Sequence, residues 1–166
     1  MLQMKLCGDL VLREKCAPVD AITPEILEIM DEMVKMMEEQ KGVGLAAPQV
    51  GVSKRFLVMK NPSNDKIMKL INPVILSRSS ETVVKEEGCL SVLGPDGLPV
   101  YADVERPAKV TVQWTDIDGK QNVTEMSGFR ARIVQHETDH LDGILFIDHL
   151  LPVKREMVMR KVRRRK

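Results

Sequence analysis

Between Thr23 and Gly42, apolar side chains recur at Ile26, Ile29, Met30, Met33 and Met37, the three-and-four spacing of one helix face. Thr23 ahead of Pro24 and Glu25 supplies the cap and first-turn chemistry of a helix start, and Gly42 supplies the stop. From Arg55 to Met126 the period shortens. The runs RFLV, KLINPVIL, ETVVK and KVTVQWTDI are short and β-rich, and Asp118 with Gly119 forms a turn into QNVTEM, so this region is predicted to be sheet. After Ser127 and Gly128 a second helix is predicted from Phe129 to Leu141, closed by Gly143, and a third begins near Pro152. The order helix, strands, helix predicts an α+β fold: antiparallel or mixed β-sheets around a central helix carrying HETDH, with an N-terminal and a C-terminal helix. No repeat or linker divides the chain, and its 166 residues suit one domain with one core, residues 1–166.

Eleven Met residues against three Phe, one Tyr and one Trp make the apolar content aliphatic, which predicts an adaptable core. The opening MLQMKLCGDLVLREK holds no long apolar run, and no stretch of about eighteen uncharged apolar residues occurs, so neither a signal peptide nor a membrane span is expected. A cytoplasmic protein is the expectation. Cys7, Cys16 and Cys89 are odd in number and irregularly spaced, which argues for reduced thiols over a disulfide framework. The net charge of +1 conceals an asymmetry: residues 154–166 hold eight basic side chains against Glu156 alone, giving +7, and leave −6 on the rest. Such a tail is either a solvated terminal helix or a contact for a polyanion such as RNA. The acidic body argues against whole-surface nucleic-acid binding, and no DNA partner is expected.

The chemistry begins at HETDH. Four residues along an α-helix amount to about 400° of rotation, so His136 and His140 project from the same face one turn apart and can share one metal ion. Glu137 sits beside the first ligand, placed to reach a water at the metal as general acid/base. His149 lies outside the pattern and is expected to be a surface or packing residue. A catalytic site usually takes three protein ligands. The metzincin spacing leads from Gly143 to Phe146, which cannot coordinate, and Glu156 in the basic tail is a poor donor. Upstream, Cys89 in EEGCLSV is either a soft thiolate ligand or a small buried apolar residue.

Three segments, GVGLAAPQVG at 42–51, EEGCLSV at 86–92 and QHETDHLDG at 135–143, together resemble the three motifs of the peptide deformylases, in order and with similar spacing. The similarity runs through nearly the whole chain. It implies hydrolysis of the N-formyl group from the formylmethionine of nascent polypeptides, releasing formate, with Cys89, His136 and His140 as metal ligands and Glu137 moving the protons. It assigns the oxyanion to the Gln49 amide and the Leu90 backbone N–H. It places Val43, Gly44, Leu45, Gly88, Phe129 and Ile133 at the substrate, with Gly42 and Gly44 giving backbone room. Lys85 and Arg132 depart from the family pattern and are expected to bear on the pocket's shape. The stretch LGPDGLPVYADVERP is expected to form a turn-rich rim, and Glu87 with Arg106 is a candidate pair bracing the Cys89 segment.

Ligand type alone favours Zn2+ for a thiolate and two imidazoles. The resemblance implies Fe2+ as the native ion, with Zn2+ or Ni2+ as replacements. It also implies a ribosome contact through the basic C-terminal segment, and a monomer is the working expectation. Two rivals stand beside this: a metallopeptidase or other amidohydrolase, and a ribosome- or RNA-associated protein with a structural metal. The missing metzincin histidine weighs against the first, and Glu137 with Gln49, which a structural site does not need, against the second.

Overall fold

The computed structural model describes residues 1–162. Its first helix, α1, spans Pro24–Glu39, with the Thr23 hydroxyl accepting from the Ile26 N–H at 3.3 Å and Pro24 in the first turn. The stop differs from the sequence expectation. Lys41, not Gly42, takes the left-handed turn, with φ 55°, while the Gly42 N–H reaches back to the Met37 carbonyl at 2.8 Å. Gly42 instead lets the Leu90 side chain lie close, since a Cβ there would sit 2.9 Å from Leu90 Cδ1.

Among the described residues seven strands follow: β1 Gly44–Ala46, β2 Phe56–Lys60, β3 Ile67–Arg78, β4 Thr82–Glu87, β5 Ala102–Pro107, β6 Lys109–Thr115 and β7 Gln121–Ser127. They form a five-stranded sheet in the order β1-β2-β3-β6-β7 and a separate β4-β5 pair, with every strand pairing antiparallel. Pro73, which cannot donate to a ladder, falls where the β3–β6 register shifts between Ile71 and Val74. Helix α2 runs Gly128–Leu141 and α3 Pro152–Lys161. The left-handed Gly143 (φ 73°) closes α2, and a Cβ there would lie 2.6 Å from the Arg13 carbonyl.

The unbroken apolar run of β2 has a simple cause: the strand is covered on both faces. Leu57 and Met59 pack with Ala131, Ile133, Val134 and Leu141 of α2, whereas Phe56 and Val58 pack with Met30, Met33 and Met37 of α1. The α+β architecture with a central HETDH helix is therefore as expected. A third cluster joins Val104 of β5 to Cys89, Phe146 and Ile147 and to Val158 of α3. None of the described helices is long and apolar enough to cross a membrane. Cys7, Cys16 and Cys89 form no disulfide. Of the basic tail, Arg163, Arg164, Arg165 and Lys166 lie outside the described residues.

Candidate metal centre

Helix periodicity puts His136 and His140 on one face of α2, with ring centroids 5.3 Å apart. The third donor comes from the chain leaving β4. Cys89 Sγ lies 3.4 Å from His140 Nε2, and the ligand atoms of Cys89, His136 and His140 are all within 4.8 Å of one another. A thiol and two imidazoles converging at this spacing fit a tetrahedral ion with one position left open. His136 Nδ1–H is taken by Glu87 Oε1 at 2.8 Å, which leaves Nε2 for the ion and fixes the tautomer. Burial, and then the nearby His136, hold His140 well below its ordinary pKa, the neutral form a ligand needs. Burial alone would lower His136 too, but its contacts with Cys89 and Glu87 raise it well above the usual value.

Glu87 is the hub beneath this site. Its buried carboxylate accepts from Arg106 Nε at 2.6 Å, from Arg106 Nη2 at 3.0 Å and from Arg132 Nη1. Burial would raise the Glu87 pKa, yet the hydrogen bonds from His136 and Arg106 bring it to about 2. The suggested Glu87–Arg106 brace is thus present. Arg132 borders the cavity and also anchors the strands beside it. Its guanidinium is buried, giving Nη1 to the Val104 carbonyl at 2.9 Å and Nη2 to the Val83 carbonyl at 2.6 Å, so it pins β4 and β5 to α2. Lys85 is exposed on β4 and does not border the catalytic cavity.

Glu137 points into that cavity, which has a volume of about 390 Å³. Its Oε1 is 3.7 Å from His136 Nε2, and its buried Oε2 has no hydrogen-bond partner among the described residues. Burial pushes this carboxyl up to about 7, so near neutral pH it can both take and return a proton. Gly44 makes room for it, since a Cβ there would meet Glu137 Cγ at 2.8 Å. Gln49 stands in a 3-10 turn, Ala47–Val50, following β1. Its Oε1 accepts from the Ala46 N–H at 2.9 Å, which turns Nε2 toward Cys89 Sγ at 3.4 Å and Ser91 Oγ at 3.1 Å.

Val43, Gly44, Gly88, Phe129 and Ile133 border the cavity, as do Leu90 and Gln49. Leu45 does not: its fully buried side chain faces α1, so only its backbone can meet a ligand. Tyr101, which the sequence did not single out, also lines the cavity and lies over Gly88, where a Cβ would meet its ring at 2.5 Å. Ser91 was missed as well. Arg132 and Asp139 carried a usable signal, because they stand four before and three after His136 and so share its face of the helix.

A His pair on one helix, a thiol from a strand end and a carboxylate whose Oε2 has no partner among the described residues have the chemistry of a mononuclear metal-hydrolase centre. A family model described as polypeptide deformylase matches residues 1–156. The peptide deformylase of Halothermothrix orenii is 46% identical, covering 95% of this chain and 99% of that one. That of Rhizobium meliloti is 44% identical, covering 92% and 87%. The crystal structure of peptide deformylase from Thermotoga maritima matches with a TM-score of 0.83 at 39% identity, covering 92% of this chain and 99% of that chain. One from Synechococcus elongatus, in complex with actinonin, matches with a TM-score of 0.88 at 35% identity, covering 96% and 86%. The chain belongs to the polypeptide deformylase family.

Proposed function

We propose that Cys89, His136 and His140 hold one divalent ion, Fe2+ natively with Zn2+ or Ni2+ able to replace it, in an enzyme that removes the N-formyl group from formylmethionine of nascent chains. When bound, the ion polarises the formyl oxygen and makes water a nucleophile near neutral pH. Glu137 takes the proton of the attacking water and returns it to the leaving amine nitrogen. Gln49 Nε2 and the Leu90 N–H donate to the oxyanion as the formyl carbon becomes tetrahedral. Val43, Phe129 and Ile133 receive the methionine side chain, and Gly44, Leu45 and Gly88 offer backbone to the peptide.

The observation that carries this reading is the meeting of the three donors within 4.8 Å beside a buried Glu137 oxygen with no partner among the described residues. The test is formate release from formyl-Met peptides, set against cleavage of unformylated peptides, with and without chelator. Glu137→Gln should lower kcat about 10²–10⁴-fold with the metal retained. Near-normal turnover by that variant would sink the assignment. Metal analysis after anaerobic purification, paired with activity, identifies the ion.

The same proposal makes residues 1–166 one monomeric catalytic domain working in the cytoplasm, with the basic segment 154–166 touching the ribosome. Truncating that segment is a poor test, because Val158 and Val162 are buried in the core. Reversing the exposed Lys154 and Lys161 to Glu should weaken salt-sensitive ribosome binding and leave formate release from short peptides unchanged. Unchanged ribosome binding refutes the contact.

A further inference from the structure

We propose that His149 is a positioning residue for the metal centre, acting through Asp139, Arg106 and Glu87 on His136. His149 ends a 3-10 turn, Phe146–His149, is partly exposed and does not border the catalytic cavity. Its Nε2–H donates to Asp139 Oδ2 at 2.8 Å, the same oxygen that accepts from Arg106 Nη1 at 2.9 Å. Arg106 sets Nε and Nη2 on Glu87, and Glu87 Oε1 accepts His136 Nδ1–H at 2.8 Å. The chain of charge-assisted bonds therefore runs unbroken from the surface to a metal ligand. Its middle is dry: the side chains of Arg106 and Glu87 are each 5% exposed.

Two donors on one oxygen hold the Asp139 carboxylate toward Arg106. Its side chain is 21% exposed, so without His149 it can turn to water. Arg106 then spends its charge on Glu87 alone, and Glu87 becomes a weaker acceptor for the His136 N–H. A histidine whose second nitrogen is less firmly held by a carboxylate is a less basic and less well-oriented ligand. Asp148, next to His149 in the chain, does not compete for it, because its carboxylate is engaged by Arg13 and Arg155. The turn also touches the ligand directly: Phe146 stacks on His136 with centroids 5.9 Å apart.

The proposal rests on the metal role of His136 and not on the substrate, so it is tested on the Co2+-substituted enzyme without peptide. Two quantities are read: the rate of Co2+ release to excess chelator, and the thiolate-to-cobalt and visible absorption bands. His149→Ala should release Co2+ on the order of three- to tenfold faster, below the ~10–100-fold typical of direct outer-shell partners, and shift the bands. His149→Gln, whose amide can still donate to Asp139, should return both to within about twofold of the parent. In an Asp139→Asn background, His149→Ala should add nothing, since the link is already cut. Release by His149→Ala within about twofold of the parent overturns the proposal. So does a Gln variant that behaves like Ala, or a double variant whose effects multiply. Loss of formate release with the Co2+ differences intact refutes the substrate assignment alone, whereas a protein that takes up no Co2+ overturns both.

Discussion

The two helices that cover opposite faces of β2 bury different chemistry. Against one face α1 presents Met30, Met33 and Met37, all fully buried and flexible in shape. On the other, α2 sets Ala131, Ile133, Val134 and Leu141 against the strand and buries Arg132, Gln135, Glu137, Thr138 and His140 on its remaining sides. Apolar packing is non-directional and absorbs a change of shape. Buried charges keep their geometry only while every partner is present, and they fail badly when one is removed. Precision is therefore concentrated where α2 meets β4 and β5, which directional bonds fix, whereas the α1 side of β2 only has to be filled.

Glu87→Ala carries the largest expected loss. It leaves Arg106 and Arg132 buried without their shared carboxylate, and removing one member of such a network costs about 3–5 kcal/mol. Urea unfolding should register that loss together with weaker metal retention. On the α1 side, Met33→Leu keeps apolar volume and should cost less than about 1.5 kcal/mol by the same unfolding measurement, with formate release unchanged. If the Met33 substitution proved the more damaging of the two, the contrast would be wrong.

The same contrast decides what the sequence could disclose. Apolar patterning revealed α1, the doubly covered β2 and the helix carrying HETDH, since each buries residues at its own period. It concealed β5. In ADVERP the inward positions are Ala102, Val104 and Arg106, so a charge stands where alternation demands an apolar residue, and the Gly- and Pro-rich LGPDGLPV before it reads as turn. The anchoring role of Arg132 stayed hidden for the same reason, because its burial depends on a carboxylate from a distant strand. The pairing of His136 and His140 on one face of α2 was legible from spacing alone. Cys89 needed the joint motif resemblance, and Ser91, Tyr101 and the Asp139–His149 link needed the fold.

A charged cluster at the surface provides the weak limit of the comparison. Asp148 accepts the Leu145 N–H at 2.9 Å and pairs with Arg13 and Arg155. Burial alone would raise its carboxyl, but the Arg13 hydrogen bond, the Leu145 N–H and the two arginine charges hold it below its ordinary value. A depressed folded value means the contribution is complete above the unfolded carboxylate value of about 3.9 and disappears as pH falls through the lower folded one. Asp148→Asn should therefore lose less than about 1 kcal/mol at neutral pH and approach the parent's stability in acid. Urea midpoints measured at pH 7 and across the acid range check both statements. A loss at neutral pH as large as that of Glu87→Ala would show that exposed and buried ion pairs in this protein carry equal weight, and the distinction between them would fall.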